Sequence, residues 1–155
     1  MRHGVADLAR RVQISRAANE RYVEALAIVD VPCPARALLD GVSRPVIKDR
    51  RSYRALRPVS RQEAAVFEAV LNGQFLLKGF TNRALRNLLA PKVASDLLAR
   101  RRASGRMTRL LRLLRAHGLI RKVSGTRYYR VTTRGHRIMS AALKLRDADV
   151  AKLAA

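Results

Sequence analysis

Between Asp96 and Asp147 the chain carries fifteen basic residues and no acid. Helices and hairpins drawn from that stretch have no carboxylate of their own to pair with. They must turn a cationic face outward while apolar residues supply the core. The rest is much closer to balance, because nine of the eleven acids lie in the first 96 residues. Over 155 residues, 33 Lys and Arg against 11 Asp and Glu leave a net charge of +22. Self-repulsion of that size is tolerated most readily when a polyanion neutralises it, and its uneven distribution reads as an electrostatic footprint. Arg outnumbers Lys by 27 to 6, and the planar guanidinium suits paired contacts with phosphate and guanine.

A hydrophobic fraction of 48% supports a folded core, built mostly of Leu, Ala and Val because aromatics make up only 5%. The lone Cys33 excludes an intramolecular disulfide framework and a multi-cysteine zinc site. No apolar run approaches the ~18 residues of a membrane span, and the N-terminus lacks the apolar centre of a signal peptide. A cytoplasmic, nucleoid-associated protein is expected. His3, His117 and His136 are scattered, with no carboxylate or cysteine at metal-ligand spacing. Phosphate-cradling glycine loops are absent, and metal-dependent nuclease chemistry has no carboxylate cluster to use. The expectation is a non-enzyme with no cofactor and no metal.

Periodicity predicts a helix over Ser15–Asp30 with Ala18, Tyr22, Val23, Leu26 and Ala27 on one face. Pro32 and Pro34 end it, and Ala35–Asp40 can add a short helical turn. Pro45–Lys48 and Ser52–Arg57 read as strands about Asp49–Arg50–Arg51. Pro58 marks a boundary between an N-terminal region, 1–58, and a second unit, 59–155. Ser60 and Glu63 form a capping box for a helix bearing Val66, Phe67, Val70 and Leu71, with Gly73 as its C-terminal glycine. Thr81 caps the next helix, with Phe80 and Leu85 as staple residues and Leu85, Leu88 and Leu89 facing inward. Lys92–Arg102 should add a helical turn or two and break near Ser104–Gly105. Over Arg106–His117, Met107, Leu110, Leu111 and Leu114 face inward, Leu113 lies nearer the polar edge, and Arg102, Arg106 and Arg109 cluster opposite. Gly118 and Leu119 supply the stop. Leu119–Val123 and Arg127–Val131 form a hairpin about Ser124–Gly125–Thr126. Thr132 or Thr133 then caps a helix with Ile138, Ala142 and Leu145 on one face, reaching as far as Leu153. Tyr128 and Tyr129 fall on opposite faces of their strand.

Helix, helix, basic helix, hairpin, helix predicts a mainly α fold with small β-hairpins: a winged helix-turn-helix preceded by a helix and a short hairpin. Over residues 60–145 the chain resembles winged helix-turn-helix DNA-binding proteins. The passage Leu-x-x-Leu-x-x-His-Gly-Leu-Ile ending at Ile120, followed by a wing and Tyr-x-Val-Thr-x-x-Gly ending at Gly135, is similar to that of bacterial MarR-related proteins. The segment Arg21–Asp30, followed by this unit, also resembles the C-terminal part of a family of larger bacterial proteins. The stretch Lys92–Arg102 departs from the tight turn usual before a recognition helix.

That resemblance implies double-stranded DNA as partner, with a role in transcription regulation or in a mobile-element system. A helix fits the major groove, where Arg presents paired donors to guanine. Arg102, Arg106, Thr108, Arg109 and Arg112 are the candidate reading residues, with Arg106 and Arg109 assigned to base edges. Lys122, Thr126 and Arg127 belong to the wing, and Arg83, Arg86 and Arg134 are candidate phosphate contacts. A homodimer through Thr133–Leu153 is expected. Arg50, Arg51, Arg54, Arg57 and Arg61 read as a solvated second cluster, and His117 as a cap for helix carbonyls. The same charge would also suit structured RNA, read by shape, or an acidic protein met by an assembly subunit.

Overall fold

A computed structural model describes residues 33–90 and 97–148, together with Val12, Gln13, Ser15, Arg16 and Asn19, which are helical and exposed. The apolar face expected at Ala18–Ala27, the segment Arg21–Asp30, Lys92–Asp96 and any extension to Leu153 lie outside the described residues. The chain is mainly helical with two small antiparallel hairpins. Its elements are α1 (Ala35–Asp40), β1 (Val46–Lys48), β2 (Arg51–Tyr53), α2 (Arg61–Val70), a 3-10 turn (Gly73–Phe75), α3 (Asn82–Leu89), α4 (Leu97–Ala116), β3 (Ile120–Lys122), β4 (Tyr129–Val131) and α5 (Thr133–Asp147). This mainly α, small-hairpin architecture follows the order expected of a winged helix preceded by a short hairpin.

One hydrophobic core runs through the described residues. Phe67 and Val70 from α2, Leu85 from α3, Leu111 and Leu114 from α4, and Ile138, Met139 and Ala142 from α5 are buried together. Leu39, Val42 and Leu56 belong to the same cluster, so packing continues across Pro58. The inner face of α5 lies on α1 and α2.

Local signals account for most boundaries. The Thr81 hydroxyl accepts the Ala84 N–H at 3.2 Å, and the staple residues Phe80 and Leu85 are both buried. After α4, Gly118 adopts a φ of 72°. Its N–H donates to the Arg115 carbonyl at 3.1 Å and that of Leu119 to Leu114 at 2.9 Å, the paired bonds of a Schellman stop. Thr132 is the cap of α5: its hydroxyl accepts the Gly135 N–H at 2.9 Å and donates to the Gly118 carbonyl at 2.7 Å.

Several expectations are corrected. The α4 helix does not break at Ser104–Gly105 but runs unbroken from Leu97 to Ala116. One glycine weakens a helix by only about 1 kcal/mol, and the flanking Leu, Ala and Arg are good helix formers. Leu113 is buried and Leu110 only half-buried, because the β1–β2 hairpin lies along that side of α4. Leu88, expected inside, is 40% exposed. The α2 helix ends at Val70 with Leu71 as cap, and Gly73 opens the 3-10 turn instead. The first hairpin turns on two residues, Asp49 and Arg50, both at positive φ, with Lys48 opposite Arg51.

The capping box is only half formed. The Ser60 hydroxyl accepts the Glu63 N–H at 3.4 Å, but the buried Glu63 carboxylate does not return the bond. It accepts instead from the Arg57 N–H at 2.6 Å and the Arg54 guanidinium at 2.7 Å. The Ser60 N–H donates to the Arg57 carbonyl at 2.8 Å. Glu63 therefore binds the exit of the first hairpin to α2.

Candidate nucleic-acid interface

The α4 helix is gripped on three sides, and what remains defines its outward face. Toward α3, the Asn82 amide donates to Thr108 Oγ1 at 3.0 Å and to the Ser104 carbonyl at 3.3 Å, while the Thr108 hydroxyl donates to Ser104 O at 3.0 Å. Toward the core, Met107, Leu111 and Leu114 are buried. Toward the first hairpin, the buried His117 has Nε2 at 2.9 Å from the Arg54 carbonyl, 63 residues away in sequence. His117 thus ties two elements together instead of capping its own helix. At 100° per residue, these fixed positions leave Arg101, Gly105, Arg109 and Arg112 as the free sector. Arg102 and Arg106 flank it on the hairpin side. All six are exposed.

The sequence-predicted residues separate accordingly. Arg102, Arg106, Arg109 and Arg112 share the outward half of α4. Thr108, expected beside them, is half-buried with its hydroxyl committed to the α3–α4 contact. Lys122, Thr126 and Arg127 are exposed on the β3–β4 hairpin. The Thr126 hydroxyl closes the turn, donating to the Val123 carbonyl at 3.0 Å and accepting the Tyr128 N–H at 3.1 Å. Arg83 is exposed on α3; Arg86 is half-buried, with a buried Nε that has no hydrogen-bond partner. Arg134 sits elsewhere: its guanidinium lies near Gly41 and Gly118, at the base of the β3–β4 hairpin, the end opposite its tip.

Two features escaped the sequence reading. Phe80 and Tyr129 exchange backbone bonds, Phe80 N–H to Tyr129 O at 2.9 Å and Tyr129 N–H to Phe80 O at 2.7 Å. A third, one-residue strand therefore joins the wing to the N-terminal end of α3. Their rings stack with centroids 6.0 Å apart, while Tyr128 is exposed on the other face. The bridge needs Gly79 before it: at φ 77° a Cβ would strike the Tyr129 carbonyl. A single bridged residue has no periodicity to read; only the Gly–Phe pair ahead of a cap hinted at it.

The second feature is a groove of about 460 Å³ between β2 and α4, with Arg51 and Arg54 on one wall and Arg106, Arg109 and Arg112 on the other. Tyr53, Leu110 and Leu113 also line it. Part of the supposedly solvated cluster therefore stands against the arginines of α4. The Arg54 guanidinium pairs with Glu63; the guanidinium groups of Arg51, Arg106, Arg109 and Arg112 have neither a hydrogen-bond nor an ion-pair partner among the described residues. No group of three or more His, Cys, Asp or Glu among the described residues could hold a metal ion. No described helix is long and apolar enough to cross a membrane. Burial lowers the pKa of His136 below the ordinary 6.5; it sits on α5, within 3.5 Å of the Ser140 hydroxyl. Comparison of the chain with protein-family models, with curated proteins and with solved structures finds no match.

Proposed function

We propose that this chain binds double-stranded DNA as a winged helix, with α4 in the major groove and the β3–β4 hairpin as the wing. It acts by binding, without catalysis, as a transcriptional regulator or as the DNA-binding component of a mobile-element system. The nucleoid is the place such a protein would occupy. The observation that carries this reading is the outward sector of α4: Arg101, Arg109 and Arg112 around the bare backbone of Gly105, flanked by Arg102 and Arg106, with no carboxylate on the helix. Paired guanidinium donors suit guanine edges, and a residue without a side chain lets the helix axis approach a base pair closely. Lys122 and Arg127 extend the same charge onto the wing, where phosphate contacts set register. Pairing of two copies through α5 would draw on faces other than Ile138, Met139 and Ala142, which are buried.

The test is affinity for random duplex DNA and duplex RNA across a salt series, for wild type and Arg102→Ala/Arg109→Ala. Duplex DNA should be preferred, binding should fall steeply with salt, and the double variant should bind at least tenfold more weakly, since each paired base contact contributes about 1–3 kcal/mol. Equal binding of both duplexes, or a double variant that binds like wild type, refutes the reading.

A further inference from the structure

The groove between β2 and α4 has no role in a winged helix that reads DNA with one helix and one wing. Its charge is unusual in kind. Arg51 on one wall and Arg106, Arg109 and Arg112 on the other have no counter-charge among the described residues, and none of the residues lining the groove is acidic. Like charges held this close destabilise the free protein. Nor is the arrangement a chance meeting of loose side chains. The hairpin is tied down through the Arg54 carbonyl on His117 at 2.9 Å, the Arg54 guanidinium on Glu63 at 2.7 Å, and Lys48 Nζ on the Arg115 carbonyl at 3.5 Å. The fold holds the two elements that carry these cations on opposite sides of the groove and leaves the space between them open.

We propose that this groove binds the sugar–phosphate backbone of a DNA strand, so that the β1–β2 hairpin acts as a second arm beside the reading helix. The inference rests on the duplex-DNA reading above and deepens it by naming a strand contact that a recognition helix and wing would lack. Phosphates enter between the walls, where the guanidinium of Arg51 and that of Arg106 each offer paired N–H donors. The apolar edge of the deoxyribose meets Tyr53 and Leu110. Arg109 and Arg112 are common to the groove and the outward face of α4, so a strand held here runs on continuously to the bases that α4 reads. Such contacts add affinity and register but no sequence preference.

The experiment measures binding of a labelled random-sequence duplex by fluorescence anisotropy between 50 and 200 mM salt. The proteins are wild type, Arg51→Ala, Arg106→Ala and, as a charge-matched control away from the groove, Arg61→Ala. Each groove variant should lower the slope of log affinity against log salt by about 1 and weaken binding several-fold, alike for all duplex sequences. Arg61→Ala should match wild type, with melting temperatures showing each variant folded. Because Arg51 and Arg106 come from different elements, a folding defect in one leaves the other to decide. If wild type binds DNA and Arg102→Ala/Arg109→Ala weakens it, but Arg51→Ala and Arg106→Ala behave like Arg61→Ala, the groove inference is overturned and the DNA reading stands. If wild type does not bind duplex DNA, both fall. Tighter binding of polyglutamate than of DNA assigns the groove to an acidic protein and overturns the proposal.

Discussion

Replacing Gly135 with alanine asks whether α5 starts where the structure places it. Gly135 is the third residue of α5 and is buried against the chain at Leu119. A Cβ there would strike the Leu119 carbonyl oxygen and stand 2.6 Å from its carbon and 2.8 Å from Leu119 Cα. Carbon atoms in contact lie about 3.5–4.0 Å apart, so the first turn of α5 must withdraw by about 1 Å. The Leu119 carbonyl also accepts from the Thr132 N–H at 3.0 Å and the Thr132 hydroxyl at 3.1 Å. A displacement of that size carries both beyond hydrogen-bond range. Two bonds at about 1 kcal/mol each and overpacking of about 1–3 kcal/mol outweigh the 0.5–1 kcal/mol, roughly, that alanine gains over glycine in a helix. The net loss is about 2–4 kcal/mol. At about 4 °C per kcal/mol for a domain of this size, the melting temperature should fall by roughly 8–16 °C, measured by circular dichroism or calorimetry. A Gly135→Ala protein that melts at or above wild type would refute the contact between α5 and Leu119.

The same substitution at Gly105 should have the opposite sign. Gly105 is exposed within α4 with nothing within 4 Å of an added Cβ, so Gly105→Ala should raise stability by about 0.5–1 kcal/mol. By the proposed function it should also weaken duplex DNA binding, and a variant both more stable and equally tight would separate the two effects. Glu63→Ala removes the acceptor of the Arg57 N–H and the partner of Arg54; a loss of about 1–3 kcal/mol is expected in urea titrations, and wild-type stability would show that the hairpin exit needs no such tie. Burial favours neutral His136 in the folded state, so below about pH 6.5 the unfolded chain binds the extra proton. That contribution to stability is complete above pH 6.5 and diminishes as pH falls. His136→Gln should flatten the difference between urea midpoints at pH 5.5 and 7.5, and an unchanged slope would exclude His136 as its source.

Much of the fold was legible because its signals are local. Thr81, Gly118 and Thr132 act on backbone groups within one turn, so a cap or stop announces itself in four or five residues. The stripe Met107, Leu111 and Leu114 likewise follows from helical geometry alone. The Ser104–Gly105 break failed because the intrinsic weakness of one glycine is small beside the α3 contact made by Ser104 and Thr108. The candidate interface was legible to the same extent: the periodicity of α4 placed Arg102, Arg106 and Arg109 together opposite the apolar stripe, and all three are exposed. It could not show that the Thr108 hydroxyl is taken by Asn82, 26 residues earlier.

By itself, the sequence determined the charge of the protein, the α4 stripe that carries it and the punctuation between elements, since each depends on residue type and short spacing. The tertiary structure decided what those elements face. His117 reaches Arg54, Phe80 pairs with Tyr129, Gly135 lies against Leu119, and Arg51 stands across a groove from Arg106. These partners are separated by between 16 and 63 residues. Such pairings depend on how helices and hairpins pack around a shared core, and no local pattern encodes them.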